Sequence, residues 1–207
     1  MNSKKIIGKI AKSNYLPVIL LVAAILFSLR FFDQISFMAN PVEYILFAFG
    51  NTAIYLFLIN AYIPFVLLIS PKGLGLAGLK KHRRLIGMLS YLFVVLHVAT
   101  YMLSEPWEEL ANNIVRPFIL IGMSGFLILS MLAVTSNNKS IKKLGKKNWK
   151  NLHRFLYLMI PILFLHISAK DKNNPSASLI IFAPLVLSYL IRLFYFLKNR
   201  NKSSYAT

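Results

Sequence analysis

The chain has 207 residues, is 57% hydrophobic, has no cysteine and carries a formal charge of +18. Without thiols it can form no disulfide, thiolate metal centre or iron–sulfur cluster, so any redox metal must use histidine, methionine, tyrosine or oxygen ligands. Apolar runs of spanning length override the soluble-domain reading of this length, and lysines gathered in the short loops between them point to membrane orientation and not to nucleic acid.

A basic start holding Lys4, Lys5, Lys9 and Lys12 precedes a first apolar run, roughly 15–32. The run outlasts a signal-peptide core and no small-residue cleavage pattern follows it, so it is expected to be a retained span. The second run, roughly 44–69, contains Asn51 and Asn60, polar intrusions that need partners, and Pro64, which is expected to kink or end the helix. A turn-rich stretch from Ser70 to Gly75 and the basic sequence Lys80-Lys81-His82-Arg83-Arg84 follow.

The third run, roughly 85–103, contains His97 and is ended by Glu105-Pro106, with Trp107 suited to the membrane interface. The fourth, roughly 117–134, opens on Arg116-Pro117, a proline in a first-turn position. Its Gly122, Ser124, Gly125 and Ser130 are expected to let helices approach closely. Residues 139–150 form a lysine-rich loop, read as an orientation determinant. The fifth run, 152–168, carries His153 and His166 with Pro161 between them, and the sixth covers roughly 179–197. No internal repeat is evident.

These runs predict an all-α, polytopic bundle of six transmembrane helices forming a single domain over 1–207, with no room for a large extramembrane domain. Lysine and arginine concentrate in the N-terminus, the 70–84 and 139–154 loops and the C-terminus, whereas Asp33, Glu43, Glu105, Glu108, Glu109 and Asp171 all fall on the other side. The basic bias places both termini in the cytoplasm.

With that topology the third and fifth spans run in the same direction. His97 lies 12 residues beyond Leu85, roughly 18 Å along its helix, and His166 lies 14 residues beyond Leu152, roughly 21 Å along its own at the α-helical rise. The two imidazoles are therefore level. Haem iron takes two axial nitrogens at one level, and His97 with His166 can supply them. A hydrogen-bonded packing role or a proton path is the alternative for either one alone. His153 sits at the inner end of the fifth span, level with His82, which allows a second haem. On a straight α-helix, however, His153 and His166 are about 140° apart. They share a face only if the helix bends or changes phase, for which Pro161 is the obvious place. A solvated, interfacial role is the alternative for His153, and a charged-loop role for His82, which is flanked by four cations.

The stretches Arg83–His97, Arg116-Pro117, Ala133–Ser136 and Lys143–Leu158 resemble the MsrQ/YedZ family of the ferric-reductase-like transmembrane superfamily. The resemblance covers roughly 44–197. It departs from the family pattern at Asn51, where an arginine is expected after Gly50, and at Tyr62–Phe65, where a Thr-Pro followed by a basic residue is usual. The resemblance implies a b-type haem subunit, with one haem or two, in the bacterial inner membrane. Such a subunit passes electrons from the quinone pool or a flavin reductase to MsrP, a periplasmic molybdenum-containing methionine-sulfoxide reductase. It implies His97, His153 and His166 as axial haem ligands; His82 is an addition to the family pattern and stays an additional candidate by its level alone. It also implies FMN, which no particular residue claims. The chain would do no group chemistry itself, only electron transfer in a lipid-embedded complex. Two other readings stand beside this one. The first is a ferric-reductase-type haem module working with a separate flavoprotein. The second is a haem-free membrane scaffold or transporter.

Overall fold

The structure, a computed structural model, describes residues 40–69 and 76–170 together with the isolated positions 19, 22, 23, 26, 182, 183, 185–187, 190 and 191. Most of the predicted first and sixth spans therefore lies outside the described residues. The regular elements are α1 (Pro41–Ile69), a 3-10 helix (Leu76–His82), α2 (Arg83–Ser104), α3 (Trp107–Asn113), α4 (Pro117–Val134), α5 (Asn138–Leu144), α6 (Lys146–Leu152), a second 3-10 helix (His153–Leu158) and α7 (Met159–Lys170). Among the described residues every regular element is helical. Four stretches are long and apolar enough to cross a membrane: Pro41–Leu67, Gly78–Ser104, Pro117–Val134 and Lys146–Ala169. They correspond to the second to fifth predicted spans.

Local sequence explains where these elements begin and end. Asn40 caps α1, its Oδ1 accepting from the Glu43 amide at 3.2 Å, and Pro41 occupies the first turn, where no intrahelical amide is required. Pro64 does not end α1, which continues to Ile69. Glu105 is extended because it precedes Pro106, and this stops α2; Arg116 is extended before Pro117 and starts α4 in the same way. The lysine-rich stretch after α4, expected as a loop, is two short helices. Asn137 caps the first, accepting from the Ser140 amide at 2.8 Å, and Gly145, at φ 75°, makes the left-handed turn between them.

The contacts fix the packing as two antiparallel hairpins. In the first, Leu46 near the start of α1 meets His97 near the end of α2, and Asn60 late in α1 accepts from Arg83 Nε at 3.2 Å at the start of α2. In the second, Phe118 at the start of α4 meets His166 in α7, and Thr135 at its end meets His153. α2 joins the hairpins. Tyr91 donates to Ser130 Oγ at 3.1 Å and stacks on Phe126, and Arg84 donates to Asn138 Oδ1 at 3.0 Å. The buried apolar side chains cluster around α1. Phe57, Leu58 and Ala61 pack with Met159 and Ile160 of α7 and with Phe182 and Leu185 of the sixth run, while Ala53 and Leu56 pack with Leu89 and Phe93 of α2. Leu92, Leu103, Leu120, Leu127 and Leu165 remain on the outside, as a lipid-facing surface allows.

Candidate functional site

His97 and His166 occupy matching places in the two hairpins. Each is half-buried near the C-terminal end of its helix. His97 Nδ1 lies 2.8 Å from Leu46 O, and His166 Nδ1 lies 2.8 Å from Phe118 O. A carbonyl oxygen only accepts, so both Nδ1 atoms carry the proton and donate it. The lone pair of each ring is then on Nε2. Metal-binding histidines are held in this way: the hydrogen bond from one nitrogen fixes the tautomer, orients the ring and makes the other nitrogen a better donor to the metal.

Close helix approach makes these bonds possible. A Cβ added at Gly50 would lie 3.0 Å from His97 Nδ1, and one added at Gly122 would lie 2.7 Å from His166 Cε1. Each imidazole thus fills the space that a side chain on the facing helix would take. Gly125, one turn on from Gly122, admits Ile162 and Met159 of α7 to similar distances. Small residues in the fourth run were expected to allow such approach. Gly122 and Gly125 do so, while Ser124 is exposed and bonds its own helix at Ile121 O.

His153 differs from both. Its Nε2 is 3.3 Å from Thr135 Oγ1, and the Trp149 ring lies over it with centroids 4.0 Å apart. Trp149 is itself held by an Nε1–H bond to Thr135 O at 2.9 Å. Thr135 Oγ1 is also within donating reach of Met131 O at 2.8 Å and of Leu132 O at 3.2 Å. With one proton and three neighbours, the hydroxyl fits either tautomer of His153. At His97 and His166, by contrast, a carbonyl partner sets the tautomer.

The phase of the fifth span also differs from that of a straight α-helix. Residues His153–Leu158 form a 3-10 helix of six residues. At three residues per turn this segment advances about 120° further than α-helix would, so the separation of about 140° falls to roughly 20°. The contacts agree, since His153 and His166 both meet α4, at its opposite ends. Pro161 supplies the reason. It lacks the amide that an α-helix would need for Tyr157 O, and by restarting as α-helix at Met159 the chain places Pro161 in a first turn.

His82, expected to be a charged-loop residue, is only 7% exposed at the junction of the first 3-10 helix and α2. Its neighbours Lys80, Lys81 and Arg84 are exposed. Among the described residues no three histidine or acidic side chains gather as they would around a bare metal ion. The described acidic residues Glu43, Glu105, Glu108 and Glu109 lie at the His97/His166 end of the bundle, and the lysines of the first 3-10 helix, α5 and α6 lie at the other.

A family model described as the ferric reductase like transmembrane component matches residues 46–164, a stretch that takes in Gly50, His97, Gly122 and His153 and stops just short of His166. The chain is 34% identical over 172 residues to the protein-methionine-sulfoxide reductase heme-binding subunit MsrQ of Polaromonas naphthalenivorans, covering 79% of this chain and 75% of that one. It is 32% identical over 172 residues to the MsrQ of Caulobacter vibrioides, covering 80% and 79%. It is also 39% identical over 126 residues to the magnetosome protein MamZ of Magnetospirillum gryphiswaldense, but that match covers 58% of this chain and only 19% of MamZ. No solved structure matches it significantly. With a family model matched over more than half its length and MsrQ proteins matched over three quarters of theirs, the chain is a multi-pass membrane protein that belongs to the MsrQ/YedZ family of ferric-reductase-like transmembrane proteins.

Proposed function

We propose that the chain is a haem-binding electron-transfer subunit of a methionine-sulfoxide reductase system, with His97 and His166 as the axial ligands of a b-type haem. One observation supports this reading: two histidines at the same end of the bundle each donate Nδ1–H to a backbone carbonyl at 2.8 Å, which sets the tautomer that carries its lone pair on Nε2, the nitrogen that would meet a metal. His97 and His166 would hold the iron of such a group through Nε2, and the porphyrin would supply its remaining ligands. The residues present fit the group. When bound, haem supplies reversible one-electron redox chemistry.

The chain's own contribution is to hold and orient. Leu46 O and Phe118 O fix the two rings, and the surrounding apolar helices exclude water, two of the means by which a protein sets a haem potential. By family resemblance the acceptor is an MsrP-like periplasmic molybdenum-containing reductase, and the donor is the quinone pool or a flavin reductase. FMN is expected on the same ground. Six spans with cytoplasmic termini in a bacterial inner membrane would put the His97/His166 end on the periplasmic side, where the acceptor is. His153 is a candidate for a second, inner haem, and the buried His82 is an additional one.

The family model matched over 46–164 also supports a second use of the scaffold, as a ferric-reductase-type module served by a separate flavoprotein. Reduction by NADH with a cytosolic flavin reductase, compared with quinol alone, separates the two uses. The haem assignment is tested by iron content and the reduced visible spectrum of the wild type and of His82→Ala, His97→Ala, His153→Ala and His166→Ala. His97→Ala and His166→Ala should each strip the haem from their end. Full haem content and an unchanged α-band in both would refute the assignment and favour a haem-free scaffold or transporter.

A further inference from the structure

We infer that Gly50 and Gly122 are positioning residues: each uncovers the carbonyl one helical turn before it, so that an imidazole from the paired helix can take the slot. The inference rests on the reading of His97 and His166 as ligands and assigns them a shared seat.

In an α-helix the Cα–Cβ bond of residue i+4 tilts toward the N-terminus and lies beside the carbonyl of residue i. This molecule displays the relation repeatedly. Thr52 Oγ1 reaches Ala48 O at 2.7 Å, Thr100 reaches Leu96 O at 2.8 Å, Ser130 reaches Phe126 O at 2.7 Å, and Ser136 reaches Leu132 O at 2.8 Å. The slot beside carbonyl i is thus normally filled by the side chain at i+4. Leu46 and Phe118 are the two carbonyls that accept from His97 and His166, and the residues one turn on are Gly50 and Gly122. In both hairpins the ring stands where that side chain would be, with hypothetical Cβ contacts of 3.0 Å and 2.7 Å.

The same device therefore occurs twice, once in α1–α2 and once in α4–α7. Each time a carbonyl and then a glycine lie on the first helix of an antiparallel pair, and a histidine lies near the end of the second. It is an internal duplication that the sequence does not announce, because only one glycine and one histidine per hairpin carry it. General helix approach does not account for it. Gly125, which meets only Ile162 and Met159, serves packing on the same helix pair without touching a histidine, and so provides the control.

The experiment uses the full chain in lipid nanodiscs, in the wild type and in Gly50→Ala, Gly50→Ser, Gly122→Ala and Gly125→Ala, with His97→Ala and His166→Ala as references. Three properties are read: haem retained per chain, the low-spin g-values of the oxidised haem, and the 15N shifts of labelled histidines in haem-depleted protein, which report the Nδ1–H tautomer. Losing the hydrogen-bonded partner of a metal-binding histidine costs about 10–100-fold in affinity. Gly122→Ala, with the closer contact, should weaken haem retention about 10-fold or more on that scale. Gly50→Ala should shift the g-values with a smaller loss. Gly50→Ser should exceed Gly50→Ala, because its hydroxyl competes for Leu46 O. In each variant the affected histidine should lose its Nδ1–H signature, while Gly125→Ala leaves g-values and tautomers as in the wild type.

Wild-type g-values and tautomers in both Gly50→Ala and Gly122→Ala overturn the inference, as does an equal change in Gly125→Ala. If His97→Ala and His166→Ala retain haem, the ligand assignment falls instead, and the seats are judged on the 15N tautomers alone. Should Gly122→Ala not fold, Gly50→Ala, with its milder contact, decides by the same criteria.

Discussion

Pro161→Ala should rotate His153 out of its Thr135 contact while leaving His166 in place. The proline removes the amide that would bond Tyr157 O, and the chain answers with six residues of 3-10 helix before α7 begins. With an alanine amide restored, α-helix can run unbroken through the segment. Each residue then turns about 100° where it had turned about 120°, so His153 moves about 120° around the axis relative to His166. For a side chain about 5–6 Å from that axis, this is a displacement of roughly 9–10 Å, and the segment also shortens by about 3 Å. No rotamer change restores the Thr135 contact at 3.3 Å across such a distance, whereas Trp149, one turn before His153, turns with it. The assay is solid-state NMR on protein labelled with 15N-histidine and 13C-threonine, in which the wild type should show a Thr135–His153 correlation that the variant lacks. The His166 tautomer signal should be retained, because Phe118 O and Gly122 are unchanged. An undiminished Thr135–His153 correlation in Pro161→Ala would refute the link between the proline and the helix phase.

Tyr91→Phe removes the hydroxyl that joins the two hairpins through Ser130. Thermal unfolding in detergent should show a loss of about 0.6 kcal/mol, and at most about 1.7 kcal/mol, the range for hydrogen bonds between membrane helices. Adding Ser130→Ala to it should cost less than the sum of the two single changes, because both break the same bond. Met159→Ala empties a site that is 1% exposed in the cluster joining α1 and α7, and should cost about 2–5 kcal/mol by the same unfolding measurement. A loss under about 1 kcal/mol would mean that the neighbouring side chains collapse into the space.

The sequence made the helical class and four of the spans legible because lipid imposes one requirement, long apolar runs that satisfy their own backbone, and proline and asparagine punctuate those runs at their ends. The level placement of His97 and His166 was legible for the same reason, since depth follows from counting residues along a helix. The angular argument assumed uniform α-helix and so set His153 and His166 far apart; Pro161 was visible, but the 3-10 segment that it imposes was not. The lysines of 139–150 were read as a loop, although Asn137 as a cap and Gly145 as a turn already marked two helices within it. His82 was judged by its charged neighbours. Its burial depends on how the first 3-10 helix folds back against α1 and α2, a tertiary fact. Gly50 was visible only as a glycine beside Asn51, because its meaning depends on which helix lies opposite.

The side-chain partner of His153 Nε2 makes the ends of the bundle chemically unequal. At His97 and His166 the nitrogen that would meet iron is Nε2, and the opposite nitrogen is already anchored on a backbone carbonyl. At His153 Nε2 itself lies 3.3 Å from the Thr135 hydroxyl, which also lies 2.8 Å from Met131 O. Binding a metal through Nε2 there requires the Thr135 contact to break. That change is of ordinary size, about 0.5–1.5 kcal/mol for a neutral hydrogen bond, and it sets the ring whose Nε2 meets a side chain apart from the two whose Nδ1 is anchored on the backbone. If the chain holds two haems, the seat with two glycines should therefore fill first, and occupancy of the inner one should depend on how firmly Thr135 and Trp149 hold His153.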